Sequence, residues 1–475
     1  MSSRGTALAA DVTPALAYLA ANHQRFVEDL CGLCRVAGVS SEWPTTTDMR
    51  ISANLVAALA EAAGFEHARV RELPGAHPYV TADWLHAPGA PTVLLYSHHD
   101  VQPFGDLASW THRPTDPAIR DGRLYARGAV DDKGGIVAQL AAIASMIGAG
   151  GTLPCNVRLL VDGEEEIGSP HLEDFLAAHR EILDADVVVV VDSPNLAQGT
   201  PALTSSLRGN TIVDVEVRCL GAAIHSGRGG GLVPDPIQIL CTLLHRLNGN
   251  GARLRVPGLT PARPRRGRRP ELGYAGVPFD AGTFRHDLGL ANGVRFAGDP
   301  RVSPLDRLWA RPALTVIAFE APHVREAGNQ ISPAARARLS LRTPAGVDPA
   351  RAGDALVRSL VNDPPCGVEV RAAVVRTISA WRTDPESPAH HLALAALGKG
   401  YGRAATTIGA GGSIGFVGAI SRALPDAPCL LLGLEDPDGH SHAPDESVHL
   451  GDWDRATRSL IHLLNDLSLT WETTA

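Results

Sequence analysis

The 475-residue sequence is poor in cysteine, and its seven cysteines show no spacing typical of a disulfide framework. They are scattered and odd in number, which favours a reducing compartment over secretion. The one close pair, Cys31 and Cys34, falls in a predicted amphipathic helix, so we expect two small core residues rather than a redox centre. The cysteines therefore predict a cytoplasmic protein without structural disulfides.

The sequence also lacks an excess of positive charge and a run of apolar residues long enough to span a membrane. Its formal net charge is -8 and its pI is about 6.2, which argues against a nucleic-acid partner. The alanine-rich N-terminal segment lacks a basic start and is interrupted by Asp11 and Pro14, so we expect no signal peptide. We therefore expect neither nucleic acid nor a membrane as a partner.

A short apolar run at residues 93–96 is followed by His98, His99 and Asp100. The run has the length of a strand rather than a helix. In an extended segment His98 and Asp100 point to the same side, which suits a metal ligand with a carboxylate that orients its ring. Taken alone, the pattern fits equally well a buried strand that ends in polar residues.

The same pattern recurs three times, which favours the metal ligand. The other runs are residues 155–161 before Asp162 and Glu164, Glu165 and Glu166, residues 186–191 before Asp192, and residues 428–434 before His440 and His442. Buried strands of this kind form largely parallel sheets covered by helices, and ligands bind at the carboxyl ends of such strands. Four acidic or imidazole ends at one edge of a sheet predict a metal site.

Asp131 and Asp132 are adjacent carboxylates among glycines, just before a predicted helix. One interpretation is a helix N-cap with a favourable dipole. The other is a carboxylate that bridges two metal ions, with glycines that let the backbone approach closely. The four strand ends favour the bridging carboxylate.

The length allows two or three domains. From residue 208 onward, residues 210–218 and 335–342 alternate apolar with polar residues, which is typical of half-exposed antiparallel strands. We predict an α/β domain with a mostly parallel sheet at residues 1–207 and 380–475, interrupted by an inserted α+β domain at residues 208–379. The arginine-rich run at residues 263–269 predicts a solvated loop within that insertion.

Together these residues resemble a known family, the co-catalytic two-zinc amidohydrolases that include cytosolic nonspecific dipeptidase, carnosinase, acetylornithine deacetylase and glutamate carboxypeptidase. The motifs occur in order over nearly the whole chain: SHHDVQP at 97–103, ARGAVDDKGG at 126–135, DGEEEIGS at 162–169, VDS at 191–193, IHSG at 224–227, LWARPALTV at 308–316, GGSI at 411–414 and SHAPDE at 441–446. The DVQP and HSG segments and the long excursion before LWARP are most similar to the dipeptidase branch. The resemblance implies a zinc-exopeptidase-like catalytic domain with an inserted lid and dimerisation domain.

The resemblance also implies a ligand set for two divalent ions, zinc in the first place, with manganese or cobalt as alternatives. The implied ligands are His98 and Asp192 on one ion, Glu166 and His442 on the other, and Asp131 bridging both. The family pattern makes Glu165 the general base, which takes a proton from water and returns it to the leaving nitrogen. Asp100 is expected to orient His98, and a cis peptide is expected between Asp131 and Asp132.

Substrate contacts are implied in the same way. His225 resembles a histidine that a partner subunit contributes from its inserted domain to stabilise the oxyanion; the alternative is a loop histidine. Arg342 would pair with a substrate carboxylate, or be one of several arginines on a solvated face. Gln330 falls at a polar lid contact, and Gly412 and Ser413 would line the carboxyl end of the substrate. A homodimer through the inserted domain follows from the assignment of His225.

The sequence departs from the dipeptidase pattern in its glycine-rich turn. Ala410 stands where dipeptidases usually have Glu, and Gly415 where they usually have Pro. His440 competes with His442 as a ligand, and the APDE that follows favours His442. We predict a metal-dependent dipeptidase or short-peptide exopeptidase. The alternative is an N-acyl-amino-acid deacylase, similar to acetylornithine deacetylase or succinyl-diaminopimelate desuccinylase. A non-catalytic member of the fold and a two-metal phosphoesterase are less favoured.

Overall fold

The computed structural model describes residues 11–248, 254–259 and 274–470. The chain forms two compact units, Met1–Ser205 with Thr383–Ile408 and Gly415–Ala475, and Ser206–Arg382 with Gly409–Ile414. The boundaries predicted at 207/208 and 379/380 lie within three residues of 205/206 and 382/383, but residues 409–414 belong to the second unit rather than to the predicted catalytic domain. The predicted loop at residues 263–269 lies outside the described residues.

The described residues contain the following helices and strands. The helices are α1 Thr13–Cys34, α2 Thr47–Ala63, α3 Lys133–Gly150, α4 Leu172–Ala178, α5 Arg180–Leu183, α6 Ser226–Gly229, α7 Pro236–Asn248, α8 Ala281–Asp287, α9 Pro304–Trp309, α10 Pro349–Val361, α11 Pro388–Tyr401, α12 Gly415–Ala423 and α13 Leu450–Thr470. The strands are β1 Glu66–Arg71, β2 Tyr79–Trp84, β3 Thr92–His98, β4 Ala118–Arg120, β5 Arg123–Tyr125, β6 Asn156–Asp162, β7 Val187–Val190, β8 Ala202–Leu207, β9 Gly209–Arg218, β10 Ile224–His225, β11 Ala313–Glu320, β12 Gln330–Ile331, β13 Ala334–Thr343, β14 Glu369–Ile378, β15 Trp381–Arg382, β16 Thr406–Ala410, β17 Cys429–Leu432 and β18 Ser447–His449.

The four strands predicted from apolar runs are neighbours in the main sheet of the first unit. They pair in parallel in the order β6-β3-β7-β17. Antiparallel strands flank them, β2 and β1 on one side and β8 on the other. Every residue of β7 and β17 is buried, which explains why these strands are continuous apolar runs. The predicted mostly parallel α/β sheet is confirmed, and its parallel strands bring their carboxyl ends to one edge.

Helices cover both faces of this sheet. Leu95 of β3 belongs to the main core, which contains apolar residues of α1, α2, α3, α11 and α13. The next residue, Tyr96, points to the other face and stacks on Phe416 of α12, with ring centroids 3.9 Å apart. On that same face Tyr79 of β2 stacks on Phe175 of α4 at 4.2 Å. Packing on both sides fixes the sheet edge at which the polar residues emerge.

The central helix α3 corrects the expectation that the sequence has no apolar run long enough to span a membrane. It is 18 residues long, has a mean hydropathy of 1.3, and is long and apolar enough to cross a membrane by these measures. However, 78% of it is buried inside the protein, where it packs on α1, α2 and α13. A helix that is buried on all sides is apolar all round, so its composition reflects the core of the first unit.

The second unit is an α+β module, as its alternating strands predict. Its antiparallel sheet has the order β11-β13-β9-β14, and α7 and α10 pack with one face of it in a separate core. Among the described residues, β11 pairs with β13 alone, so its other edge has no strand partner. Val316, Ile317 and Phe319 of β11 are exposed, at 44%, 53% and 41%. The second unit therefore presents an apolar edge strand.

His390 of α11 makes stability depend on pH. It is buried, its Nε2 lies 2.8 Å from Thr407 Oγ1, and burial lowers its pKa to about 4. In the unfolded chain the His390 ring binds a proton near pH 6.5, whereas in the folded chain it does so only near pH 4. We therefore expect the free energy of unfolding to fall as the pH drops through this window. Urea titrations at about pH 7 and about pH 5 should show a smaller loss for His390→Asn than for the wild type. Equal losses would contradict this assignment.

Candidate metal centre

His98 ends β3 and is completely buried at the carboxyl edge of the sheet. Its Nε2 lies 3.0 Å from Oδ1 of Asp131 and 3.7 Å from Oδ2 of Asp192, which follows β7. Its Nδ1 lies 3.4 Å from Oδ1 of Asp100 and 3.1 Å from the Asp100 carbonyl oxygen. Asp100 thus holds the ring, while Nε2 faces two carboxylates.

Asp131 lies between two groups of potential ligands. While Oδ1 faces His98, Oδ2 lies 2.8 Å from Nε2 of His442, and this nitrogen is also 3.1 Å from Oε2 of Glu166. Asp131, Glu166 and His442 have ligand atoms within 4.8 Å of one another. His98 and Asp192 belong to a second such group together with Asp132. All five predicted metal ligands are therefore brought together in the first unit, around the two oxygens of Asp131.

The electrostatics of this cluster are those of crowded buried carboxylates. Burial raises the pKa of Asp192 well above its usual value, and repulsion from Asp131 adds to the shift. Burial also acts on Asp131, but hydrogen bonds with His442 and His98 outweigh it and hold the pKa of Asp131 below its usual value. Hydrogen bonds to Asp131 and Glu166 raise the pKa of His442 to about 11. Positive charge bound among these buried carboxylates would therefore stabilise the cluster.

Hydrogen bonds distinguish the three successive glutamates. Both oxygens of Glu164 are in use: Oε1 accepts from the His77 amide at 3.1 Å and Oε2 from the Tyr79 hydroxyl at 2.8 Å. Glu166 accepts from the Gln102 amide group at 2.9 Å and faces His442. Within the described residues, the Glu165 carboxylate has no hydrogen-bond partner. Burial raises its pKa well above the usual value.

Asp100 has a second contact that the sequence did not reveal. Its Oδ1 and Oδ2 accept the backbone amides of Glu165 and Glu166, at 3.1 and 3.0 Å. One buried carboxylate therefore contacts the His98 ring and fixes the backbone of both glutamates. This arrangement ties the end of β3 to the turn after β6.

Asp132 and Glu435 lie near the predicted ligands as well. The peptide between Asp131 and Asp132 is cis, as predicted, and Asp132 accepts the His98 amide at 3.2 Å. Glu435, three residues after β17, groups with Asp131 and Asp192, and burial raises its pKa to about 8. Glu435 was not among the predicted ligands, although it is a carboxylate just beyond an apolar strand. His440 is exposed and belongs to none of the ligand groups of the described residues.

The donor set fits two divalent cations. Imidazole and carboxylate groups suit zinc, manganese or cobalt, and the two oxygens of Asp131 face separate histidines. Burial and mutual repulsion raise the pKa values of Asp192, Glu165 and Glu435, and nearby metal charge would reverse these shifts. We therefore regard this cluster as a candidate two-metal centre.

The predicted substrate contacts lie in the second unit and form two small groups. Arg342 at the end of β13 donates through Nη1 to Ser413 Oγ at 2.7 Å, next to the exposed Gly412. Arg208, which the sequence analysis did not single out, donates through Nε to the Gly411 carbonyl at 3.0 Å. These bonds explain why residues 409–414 belong to this unit.

The two arginines beside the glycine-rich turn have no carboxylate partner in the described part of the chain. Burial lowers the pKa of Arg208 to about 10, and repulsion from Arg342 contributes. The other group consists of His225 and Gln330, which are both exposed. His225 of β10 lies opposite Gln330 of β12 in a two-stranded sheet. The structure thus joins Arg342 with Ser413, and His225 with Gln330.

Comparison with known proteins identifies the family. Residues 94–466 match the model of peptidase family M20/M25/M40. The chain belongs to this family. It is 35% identical over 362 residues to a cysteinylglycine-S-conjugate dipeptidase from Corynebacterium striatum, covering 76% of this chain and 77% of the relative. It is 31% identical over 245 residues to the beta-Ala-His dipeptidase of Rattus norvegicus, about half of each chain.

The fold agrees with solved members. The structure of the dipeptidase Dug1p from Saccharomyces cerevisiae superposes with a TM-score of 0.81 and 20% identity, covering 98% of this chain and 100% of that one. This M20 chain is thus a metallopeptidase-family hydrolase with the predicted fold, and the resemblance to the dipeptidase branch is confirmed.

Proposed function

We propose that this chain is a two-metal dipeptidase that hydrolyses the peptide bond of dipeptides or short peptides. The observation that carries the proposal is the position of Asp131, whose two oxygens face His98 on one side and His442 on the other. A buried carboxylate between two imidazoles is the arrangement expected of a ligand shared by two ions. The dipeptidase names of the relatives support the choice of substrate class.

In this proposal His98 and Asp192 would hold one ion, Glu166 and His442 would hold the other, and Asp131 would serve both. Zinc is the proposed metal because borderline ions suit mixed imidazole and carboxylate ligands. When bound, such ions would lower the pKa of the attacking water and polarise the scissile carbonyl. Asp100 contacts Nδ1 of His98 and so keeps Nε2 directed at Asp131 and Asp192.

Glu165 is the proposed general base, because its carboxylate is the one of the three without a hydrogen-bond partner in the described residues. It takes a proton from the attacking water as the new bond from oxygen to the carbonyl carbon forms. It then gives that proton to the leaving nitrogen as the C–N bond breaks, so that an acid and an amine are released. Asp100 fixes the backbone of Glu165 during both transfers.

The second unit supplies the proposed substrate contacts. Arg342 and Ser413, already joined by a hydrogen bond, bind the substrate's terminal carboxylate with the open backbone of Gly412 beside them. Gln330 gives a polar contact, and His225 of a partner copy stabilises the oxyanion. Ala410 and Gly415, which differ from the dipeptidase pattern, lie at the two ends of this turn and affect substrate preference.

A phosphoesterase is disfavoured because the cations near the ligands are occupied. Arg127 is buried against Glu446, with Nη1 2.6 Å from Oε2. Lys133 is buried as well and donates to the Val36 carbonyl at 2.7 Å. Neither is available to neutralise a phosphate. A non-catalytic role is disfavoured because Glu165 and all five ligands are present.

A substrate panel tests the proposal and its main alternative. We expect dipeptides to be cleaved at least about tenfold better in kcat/KM than N-acetyl or N-succinyl amino acids. Dipeptide amides, which lack the carboxylate proposed to meet Arg342, should be cleaved more slowly through a higher KM. Turnover of N-acyl amino acids alone would instead establish the deacylase.

We also propose a cytoplasmic homodimer that forms through the second unit. All seven cysteines are free thiols, which agrees with a reducing compartment. The apolar edge strand β11 is suited to pair with a second copy, because unpaired edges template strand addition. Sedimentation equilibrium should show a dimer that Ile317→Asp dissociates and that Ile119→Asp leaves intact, since Ile119 is similarly exposed but lies in the first unit. A wild-type monomer with full activity would contradict the assignment of His225.

A further inference from the structure

Two motif residues have no role in the proposed reaction, Arg127 of ARGAVDDKGG and Glu446 of SHAPDE. They form an ion pair whose side chains are 2% and 1% exposed. A buried pair of this kind is rarely a net source of stability, because desolvation of both charges offsets their attraction. Stability alone therefore does not explain why this pair is present.

Glu446 contacts the segment that carries the proposed bridging ligand. Its Oε1 accepts the backbone amides of Val130 and Asp131, at 3.2 and 3.3 Å. Its own carbonyl oxygen accepts the Ala126 amide at 3.0 Å. The pairing of β18 with β5, in which Ser447 lies opposite Tyr125, brings these segments together. Glu446 is thus hydrogen-bonded to the backbone amides of Ala126, Val130 and Asp131, all in the segment that carries the proposed bridging ligand.

Arg127 extends this contact to a third segment. While Nη1 binds Glu446, Nη2 donates to the Pro103 carbonyl at 3.0 Å. The residue before Pro103 is Gln102, which donates to Oε2 of Glu166 at 2.9 Å. Arg127 itself lies in the segment that carries Asp131. Through Pro103 its guanidinium contacts the segment that follows His98, and Gln102 of that segment holds Glu166.

The loop that carries His442 also depends on this anchor. His440, His442 and Asp445 all have left-handed backbones, with φ of 52°, 64° and 58°. Non-glycine residues pay for such conformations and keep them only where surrounding contacts fix them. Asp445 is held by the Thr111 amide at 2.8 Å, and the next residue, Glu446, is held by Arg127.

We infer that the Arg127–Glu446 pair is a positioning device that locks three ligand-bearing segments into one geometry, with Asp131 at its centre. The inference rests on the proposed metal centre and deepens it. Neither residue belongs to the groups of potential metal ligands among the described residues. The pair acts through the backbone of Asp131, the loop of His442 and the Gln102 contact with Glu166.

The experiment measures metal affinity, by competition between apoprotein and a chromophoric zinc chelator. We expect Glu446→Gln to weaken zinc binding about 10- to 100-fold, the usual effect of losing a residue that orients a ligand. Arg127→Lys keeps the charge but replaces the two guanidinium nitrogens that separately contact Glu446 and Pro103 with one ammonium, so we expect a smaller loss. It also serves as the second variant if Glu446→Gln does not fold.

The chain offers a matched control in Arg123 and Asp436, a second buried pair in the first unit with contacts of 3.1 and 2.9 Å. Asp436→Asn should lower the melting temperature yet leave zinc affinity unchanged, since this pair does not contact the amide of Asp131. Wild-type affinity in Glu446→Gln and Arg127→Lys, or an equal loss in Asp436→Asn, would overturn the inference. A wild-type protein that binds no zinc would overturn the proposed function instead.

Discussion

Glu165→Gln is expected to lower kcat by about 10²- to 10⁴-fold while the protein keeps its metal ions and its stability. Glutamine has nearly the same shape but cannot take a proton from water. The side chain makes no hydrogen bond within the described residues, so its replacement breaks none there. Burial raises the pKa of Glu165, and bound cations would lower it again, towards the range in which a carboxylate is useful as a base. Steady-state kinetics with a good dipeptide, together with metal analysis, measures this effect.

The neighbouring glutamate provides the control for this experiment. Glu164→Gln disturbs the buried bonds with Tyr79 and His77, so we expect a lower melting temperature with kcat close to that of the wild type. The two variants together separate a chemical role from a structural one within a single motif. Full activity of Glu165→Gln, or a loss of kcat confined to Glu164→Gln, would show that the base is assigned to the wrong residue.

Asp131→Asn is expected to abolish binding of the ion pair and to reduce kcat/KM by on the order of 10³-fold or more. The amide keeps one acceptor oxygen but replaces the other with a donor, so it cannot serve His98 and His442 as the carboxylate does. Loss of metal assistance removes several kcal/mol of transition-state stabilisation, and each 1.36 kcal/mol corresponds to a tenfold change in rate. Metal content after equilibrium dialysis, measured beside the kinetics, checks both expectations.

A suitable control for Asp131→Asn is a buried aspartate at the same edge of the sheet. Asp162 accepts hydrogen bonds from Tyr96 at 3.0 Å and from Ser169 at 2.7 Å, and it belongs to none of the ligand groups found in the described residues. Asp162→Asn should therefore cost stability but retain both ions. If Asp131→Asn binds two ions per chain, Asp131 is not the shared ligand.

The parallel sheet and the clustering of the predicted ligands could be predicted from the sequence because each of these residues lies close to a recognisable element. His98 and Asp192 stand at the ends of buried apolar strands, and Asp131 precedes a long helix. Because parallel strands run in the same direction, the residues that follow them meet at one edge of the sheet.

The supporting contacts could not be predicted, because they join residues that are far apart in sequence. Glu164 differs from Glu165 in that its carboxylate bonds to His77 and Tyr79, 87 and 85 residues earlier. The contact of Arg127 with Glu446 spans 319 residues. Such pairs depend on the packing of whole elements, and no local pattern in the sequence marks them.

The central claim is that two cations bind around Asp131, and anomalous difference maps from zinc-loaded crystals test it most directly. Data collected on both sides of the zinc absorption edge should show two peaks, each with an Asp131 oxygen at about 2.0–2.2 Å. One peak should also contact His98 and Asp192, and the other Glu166 and His442. A single peak, or two peaks without Asp131 between them, would contradict the account.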